Sequence, residues 1–146
     1  MRVVYTGEPL PQDRESVFYL NVLYIPPKPT EAETKGQSYL QMSIRSRIKF
    51  FFRPALAMDI ADAPQQVKWT LNGETLTATN PTPYHITFSN VEAIGQAEPA
   101  SVEKIGMVKP FDTLDFSIKN AQGAKNIKWQ IINDYGGYQD GETPLQ

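Results

Sequence analysis

Residues 40–53, LQMSIRSRIKFFFR, restrict the fold more than any other stretch of the chain. The even positions are apolar apart from Ser46, and the odd positions are mostly polar and basic. This alternation indicates a β-strand, because successive side chains of a strand point to opposite faces. At about 3.3 Å per residue the strand would be roughly 46 Å long, whereas most strands have about 5 or 6 residues. The sequence therefore predicts one unusually long strand.

The rest of the chain has the pattern of shorter strands. Val, Thr, Ile, Phe and Tyr dominate between turns that contain 12 prolines and 9 glycines. Further strands are predicted at 2–6, 16–25, 66–71, 75–80, 85–93, 113–118 and 126–134. Asn72-Gly73 lies between two alternating stretches and predicts a hairpin with a type I′ turn. The chain is therefore predicted to be all-β, with immunoglobulin-like sandwiches.

Residues 55–64 carry no strand pattern and are predicted to form a linker or one helical turn. Residues 65–146 supply about five strands, near the roughly 7 of a small sandwich. Residues 1–54 supply three, which are too few to close a core between two sheets. We therefore predict two immunoglobulin-like β-sandwich domains, at 1–54 and 65–146, of which the N-terminal one is incomplete.

Composition excludes several classes of partner. The chain has 146 residues, a net charge of -2 and a pI near 5.4, so nucleic acid is not an expected partner. No stretch reaches the roughly 18 apolar residues that a membrane-spanning helix needs, so membrane insertion is not expected. Met1 is followed directly by a strand-like stretch, and no signal peptide is recognised in this chain. There are no cysteines for disulfides or thiol chemistry.

The residues that enzymes use most often are absent or isolated. His85 is the single histidine, so a second histidine is not available for a metal site or a catalytic pair. The chain has no glycine-rich phosphate loop, no GxSxG and no HExxH. We therefore predict no catalytic residue, no metal site, no cofactor and no enzymatic activity. A binding or a structural role remains.

The two faces of the long strand each allow two interpretations. The basic residues are Arg45, Arg47, Lys49 and Arg53. They form either a solvated strand face or an edge that receives an anion. The apolar residues at the start of the strand are Leu40, Met42 and Ile44. They form either a core strand or an exposed edge. A long alternating edge is an aggregation hazard, so its presence favours an edge that is lent to another chain by β-augmentation.

Four motifs carry a resemblance to a known family. They are LPQDRESVFYLNVLYIPP (10–27), LQMSIRSRIKFFFRP (40–54), NPTPYHITF (80–88) and INDYGG (132–137). Together they resemble the PapD-like periplasmic chaperones of the chaperone–usher pilus pathway. The resemblance implies two immunoglobulin-like domains joined near residues 55–64, and no enzymatic activity. It also implies a periplasmic chaperone that holds pilus subunits by donor strand complementation and delivers them to an outer-membrane usher.

The resemblance also implies roles for individual residues. The side chains that would enter the groove of a pilus subunit are those of Leu40, Met42 and Ile44. Lys49 would bind the C-terminal carboxylate of the subunit. An interdomain ion network would consist of Glu15, Arg53 and Asp134. A lysine on the strand would set the register of pairing, and a slip of one residue would turn each apolar side chain to the wrong face.

The resemblance also implies that the first half of the N-terminal domain is missing before RVVYTG. We therefore expect self-association through the incomplete N-terminal domain as a further interaction. Two other interpretations remain open at this point. One is a pilus subunit, which is also immunoglobulin-like and incomplete, and the other is an unrelated immunoglobulin-like adhesion module.

Overall fold

The computed structural model describes residues 4–28 and 39–146. In this part of the chain it contains β1 (Ser16–Tyr24), β2 (Ile44–Phe52), a 3₁₀ helix (Ile60–Gln66), β3 (Lys68–Asn72), β4 (Thr75–Thr79), β5 (Ile86–Ile94), β6 (Ala100–Ser101), β7 (Met107–Val108), β8 (Thr113–Ser117), β9 (Asn126–Ile132) and β10 (Tyr138–Pro144). The predicted all-β class is confirmed.

The chain forms two compact units, one from Met1–Glu15 with Arg53–Gln146 and the other from Ser16–Phe52. The domain division at residues 55–64 stays a prediction of the sequence.

The larger unit contains two antiparallel sheets that share one core. One sheet has the order β3-β4-β8, and the other has the order β10-β9-β5-β6, with β7 also paired to β5. Three buried rings from different strands meet between the sheets. Trp69 on β3 lies 5.3 Å from Phe88 on β5, and Phe88 lies 5.9 Å from Phe116 on β8. The inward positions of facing sheets thus form one hydrophobic core, as in an immunoglobulin-like sandwich.

The hairpin predicted around Asn72-Gly73 is present, but its turn type was predicted wrongly. Asn72 pairs with Thr75, so the two loop residues are Gly73 and Glu74. A type I′ turn needs positive φ at both central positions. Of the two, only Gly73 has positive φ, at 61°. The loop is therefore shifted by one residue and has the φ pattern of a type II′ turn.

The smaller unit contains one antiparallel hairpin. β1 and β2 pair over their whole length, from Ser16 opposite Phe52 to Tyr24 opposite Ile44. None of its described residues is buried. Large apolar side chains on both strands are therefore accessible, and Ile48 and Phe50 keep 53% and 47% of their surface exposed.

The long strand predicted at 40–53 is shorter in the structure, where β2 begins at Ile44. The pairing strand β1 ends at Tyr24 and is followed by Pro26 and Pro27. A proline has no backbone N–H to donate, so these two residues cannot continue the ladder. Residues 39–43 lie beside this stretch without strand structure, and the Gln41 side-chain amide donates to the Pro26 carbonyl at 2.8 Å.

Other parts of the strand prediction also differ from the structure. Residues 4–6 of the predicted strand 2–6 are not in a strand, and residues 1–3 lie outside the described residues. The short strands β6 and β7 were missed, and so was β10. β10 contains aspartate, glycine and proline, which are poor strand formers, and it forms by pairing with β9. Of the two alternatives for residues 55–64, a linker or one helical turn, the structure has a 3₁₀ helix at Ile60–Gln66, which extends past residue 64 and is capped at its start by Asp59.

The pairing of β9 with β10 depends on a glycine. Gly141 lies opposite Trp129 in the register, and the indole ring covers the Gly141 backbone. A Cβ atom at position 141 would lie 2.1 Å from a ring carbon of Trp129. The indole N–H also donates to the Thr143 hydroxyl at 3.0 Å, which holds the ring in place. No side chain fits at position 141 unless Trp129 moves.

We expect Gly141→Ala to lower the free energy of unfolding by about 1 to 3 kcal/mol, because it overpacks the buried indole. Gly137→Ala in the same hairpin is the matched control, since its added Cβ would meet nothing closer than 3.4 Å. Urea unfolding monitored by tryptophan fluorescence measures both variants. Equal stability of Gly141→Ala and Gly137→Ala would contradict this account of the hairpin.

Candidate functional site

The structure brings together three charged residues that the sequence singled out. The Arg53 Nε donates to Glu15 Oε1 at 2.6 Å. The two terminal nitrogens of the same guanidinium donate to the two carboxylate oxygens of Asp134, at 2.6 and 3.0 Å. Arginine suits this position because its planar fork can donate to two carboxylates at once. We call Glu15, Arg53, Asp134 and His85 the ion cluster.

Glu15 is the buried member of the ion cluster, and its side chain is only 1% exposed. Its second carboxylate oxygen accepts from the His85 backbone N–H at 2.8 Å and lies 3.3 Å from His85 Nδ1. Burial alone would raise the pKa of Glu15, but the hydrogen bonds from His85 and the charge of Arg53 outweigh it. The pKa therefore lies below its ordinary value. A buried carboxylate held in this way is ionised at neutral pH.

The chain places the members of the ion cluster by local structure. Glu15 directly precedes β1, and its backbone N–H donates to the Pro83 carbonyl at 2.9 Å. Arg53 directly follows β2. Asp134 lies in the tight turn between β9 and β10, where the Asn133 side chain accepts from two backbone N–H groups of the turn. All members of the ion cluster belong to the larger unit.

Arg53 has an aromatic neighbour as well as its two carboxylates. Its guanidinium lies 5.2 Å from the centre of the Tyr84 ring, within the range of a cation–π contact. The hydrogen bonds to Asp134, followed by those to Glu15, raise the pKa of Arg53 above its ordinary value. The Tyr84 hydroxyl donates to the Met58 carbonyl. The ring and the charges together fix the orientation of the guanidinium.

Reasoning from the sequence missed two of these neighbours. The sequence predicts His85 at the start of a strand with no catalytic or metal-binding role, and it does not single out Tyr84, yet His85 bonds Glu15 and the Tyr84 ring lies against Arg53. The sequence signal that could have found Tyr84 and His85 is their position in the family motif NPTPYHITF. The contact with Glu15 depends on a chain separation of 70 residues, which no local pattern reports.

The apolar residues predicted to bind a subunit are exposed. Leu40 is 85% exposed, Met42 65% and Ile44 60%. Leu40 and Met42 lie before β2, and Ile44 is its first residue. These three residues do not contribute to any buried core in the described part of the chain. Their role in binding stays a prediction.

Lys49 lies within β2, opposite Tyr19 of β1. Desolvation by surrounding atoms lowers its pKa below the ordinary value for lysine. Its register places it on the same face of the hairpin as Arg45 and Arg47, which lie opposite Leu23 and Asn21. The structure therefore brings the three basic residues of the strand onto one face, while Arg53 belongs to the ion cluster.

The described residues hold neither a metal site nor a membrane-spanning helix. Among residues 4–28 and 39–146, no group of three or more His, Cys, Asp or Glu side chains is arranged to hold a metal ion. The one helix in this part of the chain is a short 3₁₀ segment, so none is long and apolar enough to cross a membrane.

The fold defines an immunoglobulin-like β-sandwich protein, and the exposed strand β2 is its candidate site. Comparison with protein families narrows this class. The C-terminal domain model of the pili assembly chaperone PapD matches residues 62–143, and the PapD N-terminal domain model for pili and flagellar-assembly chaperones matches residues 1–57. The chain belongs to the PapD family of pili assembly chaperones, which are not enzymes.

Similar proteins agree with this assignment. The chain is 42% identical to the chaperone protein HifB of Haemophilus influenzae, with 100% of the chain and 60% of HifB covered. It is 38% identical to the probable fimbrial chaperone YadV of Escherichia coli, with 99% of the chain and 62% of YadV covered. The chain thus spans about 60% of the length of these relatives.

Solved structures show the same fold. The crystal structure of the YadV chaperone matches with a TM-score of 0.79 at 34% identity, over 97% of this chain and 68% of that one. The structure of the Salmonella enterica SafA pilin in complex with the SafB chaperone matches with a TM-score of 0.80 at 26% identity, over 97% and 65%. The predicted fold class and family are confirmed by these comparisons.

We expect Glu15→Gln to lower the free energy of unfolding by about 2 kcal/mol at pH 7, because it removes charge-assisted hydrogen bonds from a buried site. The folded-state pKa of Glu15 is depressed, so its stabilising contribution is present above the ordinary value of 4.5 and is lost as the pH falls through the depressed value. Stability of the unmodified protein should therefore fall below about pH 4.5. Urea unfolding at pH values from 7 down to 3 measures this, and the decline should be shallower in Glu15→Gln.

Asp13→Asn is the matched control for this measurement. Asp13 also pairs with an arginine, Arg14, at 2.7 Å, but both side chains are well exposed. Exposed ion pairs contribute little to stability, so the control should leave stability at pH 7 nearly unchanged. The same pH profile for Glu15→Gln and the unmodified protein would show that Glu15 does not carry this dependence.

Proposed function

We propose that this chain acts as a periplasmic chaperone that binds pilus subunits by donor strand complementation and delivers them to an outer-membrane usher. Membership of the PapD family supports the proposal, as do relatives named fimbrial chaperones. A similar structure contains a chaperone together with a pilin. Chaperone models match both parts of the chain, which favours this function over a pilus subunit or an unrelated adhesion module.

One observation carries the proposal, namely the exposed apolar residues that lead into β2. Leu40, Met42 and Ile44 alternate along the chain and are each at least 60% exposed. Among the described residues, β2 pairs with β1 only, so its second edge has no strand partner there. An edge of this kind can add to the sheet of another chain through its backbone, while pockets in that chain take alternate side chains.

The energetics favour a specific register. Each of these side chains should contribute about 1.5 to 3 kcal/mol when it is fully buried in a groove. Lys49 lies five residues after Ile44, roughly 17 Å along an extended strand. A cation at a fixed distance from the apolar side chains can bind the C-terminal carboxylate of a subunit. It then sets which residue of the subunit faces which residue of β2.

We propose that the ion cluster is the interdomain network of this chaperone. Glu15 and Arg53 occupy the two points at which the chain passes between the larger unit and the hairpin. Both are bonded within the larger unit, to His85 and to Asp134 respectively. The ion cluster therefore holds together, within the larger unit, the two residues that flank the hairpin in sequence.

We expect Ile44→Asp to weaken subunit binding more than tenfold, because it places a charge where the proposed complex buries an apolar side chain. The lost burial exceeds about 1.4 kcal/mol, which corresponds to a factor of ten in affinity. Lys49→Ala should reduce selectivity for subunits with a free C-terminal carboxylate. The measurement is co-expression of the tagged chain with a pilus subunit encoded in the same genome, followed by co-purification. Subunits with a free C-terminus and with a short C-terminal extension should be compared.

Ile105→Asp and Lys104→Ala are matched controls. Ile105 is 47% exposed and Lys104 is also exposed, but both belong to the larger unit, away from β2 in sequence. Both controls should retain the subunit. Equal recovery of the subunit with the unmodified chain, Ile44→Asp and Lys49→Ala would rule out the strand-lending role.

A second candidate interaction is self-association through the hairpin. The even-numbered face carries exposed apolar side chains, including Phe18, Ile48 and Phe50, and none of its described residues is buried. Accessible apolar surface of this kind marks an interaction site. We propose that a second copy covers this face when no subunit is bound.

We expect the purified chain to form dimers or larger species whose proportion rises with protein concentration, since burying the apolar face releases water from it. Phe50→Ser should shift the equilibrium toward the monomer. Ile132→Ser, at a residue 44% exposed in the larger unit, is the control and should not shift it. Size-exclusion chromatography with light scattering measures the species. A monomer at every concentration tested would argue against self-association.

A further inference from the structure

Among the described residues, the odd-numbered face of the hairpin carries basic side chains and no acidic ones. Arg45, Arg47 and Lys49 alternate along β2, opposite Leu23, Asn21 and Tyr19 of β1. The described parts of the smaller unit, residues 16–28 and 39–52, contain no aspartate or glutamate. The positive charges of Arg45 and Arg47 are therefore not neutralised by a carboxylate of the same described segments.

In the larger unit, one strand cation has an acid on each side. Lys128 on β9 has Glu92 of β5 opposite it on one side and Glu142 of β10 opposite it on the other. Opposite charges at such cross-strand positions favour pairing, and like charges disfavour it. Each edge of β9 is occupied by a strand that supplies a carboxylate. β2 lacks a strand of this kind on its second edge among the described residues.

The side chain of Arg47 is held in a defined orientation. Its guanidinium lies 4.0 Å from the centre of the Tyr19 ring. Stacking on a ring occupies one flat face of the guanidinium and leaves the donors at its rim available. A carboxylate in the plane of the group could then accept two hydrogen bonds at once. Arg47 is therefore oriented for recognition of a carboxylate.

The geometry of strand pairing determines where the carboxylates of a partner strand would lie. Residues directly opposite on neighbouring strands have Cβ atoms about 4.5 to 5.5 Å apart. A strand that pairs with the second edge of β2 would place alternate residues opposite Arg45 and Arg47, on one face. The residues between them would lie on the face of Ile44 and Ser46. The matching strand is thus apolar on one face and acidic at two alternate positions on the other.

We infer that Arg45 and Arg47 select partner strands that carry acidic residues at two alternate positions beside the paired apolar ones. This inference rests on the proposed function, because it requires that the second edge of β2 pairs with another chain. Arg45 and Arg47 would then determine specificity through charge, in addition to the apolar contacts of β2 and the contact of Lys49 with the C-terminal carboxylate.

The test uses three fluorescein-labelled peptides of eight residues, in which valine alternates with glutamate, serine or lysine. Binding to the full chain is measured by fluorescence anisotropy in low and high salt. We expect the glutamate peptide to bind about tenfold more tightly than the serine peptide, and the lysine peptide to bind more weakly than both. In about 1 M salt, where the Debye length is about 3 Å, the difference should largely disappear.

Variants of the chain separate charge recognition from net charge. The double variant Arg45→Ala with Arg47→Ala should remove the preference for glutamate, and Arg45→Glu with Arg47→Glu should reverse it. The double variant Lys104→Ala with Lys109→Ala removes the same net charge from exposed positions of the larger unit and should keep the preference. Loss of the preference in this lysine variant would overturn the inference, because it would indicate attraction to overall charge.

The same experiment distinguishes this inference from the proposed function. Ile44→Asp should weaken binding of all three peptides, because it disrupts the apolar side of the pairing. If the three peptides bind the unmodified chain equally and Ile44→Asp weakens the binding of all three, selection of acidic strands by Arg45 and Arg47 is overturned. The proposal that β2 pairs with a strand of another chain then stands. If none of the peptides binds, pairing at this edge is overturned and both proposals fail.

Discussion

The buried carboxylate of Glu15 is the constraint on which the arrangement of the chain depends. A charged group that is 1% exposed is costly unless it is paired and hydrogen-bonded, and here Arg53 and His85 satisfy its two oxygens. Removing Arg53 would leave the buried carboxylate of Glu15 without a compensating charge. Glu15 and Arg53 flank the hairpin in sequence, so one electrostatic requirement brings together two residues of the larger unit that are 38 positions apart. Asp134 then supplies the second carboxylate that occupies the remaining donors of Arg53.

The two compact units differ in what stabilises them. The larger unit buries a continuous core in which aromatic rings from facing sheets meet edge to face. The hairpin has no buried residue in its described part, and an isolated two-stranded hairpin is marginally stable in water. Covering the apolar surface of the hairpin with another chain would therefore be favourable in free energy. In the proposed function, the incomplete sheet of a pilus subunit covers this surface.

The two faces of β2 can contribute differently to such binding. In the proposed binding, apolar side chains on the even-numbered face would supply affinity, because burial of apolar area is the larger and less directional contribution. The basic residues on the odd-numbered face would supply selectivity, because misplaced or like charges penalise a wrong partner or a wrong register. A strand with this division of roles can bind several related subunits and still discriminate between them.

The sequence by itself determined the all-β class, most strand positions, the β3–β4 hairpin and the family resemblance. These follow from alternation and turn residues, which are local properties of the chain. Tertiary structure decided where β2 begins. β2 pairs with β1 only as far as Tyr24, because Pro26 and Pro27 have no backbone N–H to continue the ladder. It also decided that β10 forms, because Gly141 admits the Trp129 ring, and that His85 bonds Glu15 across 70 residues. Contacts between distant residues depend on packing that no local pattern encodes.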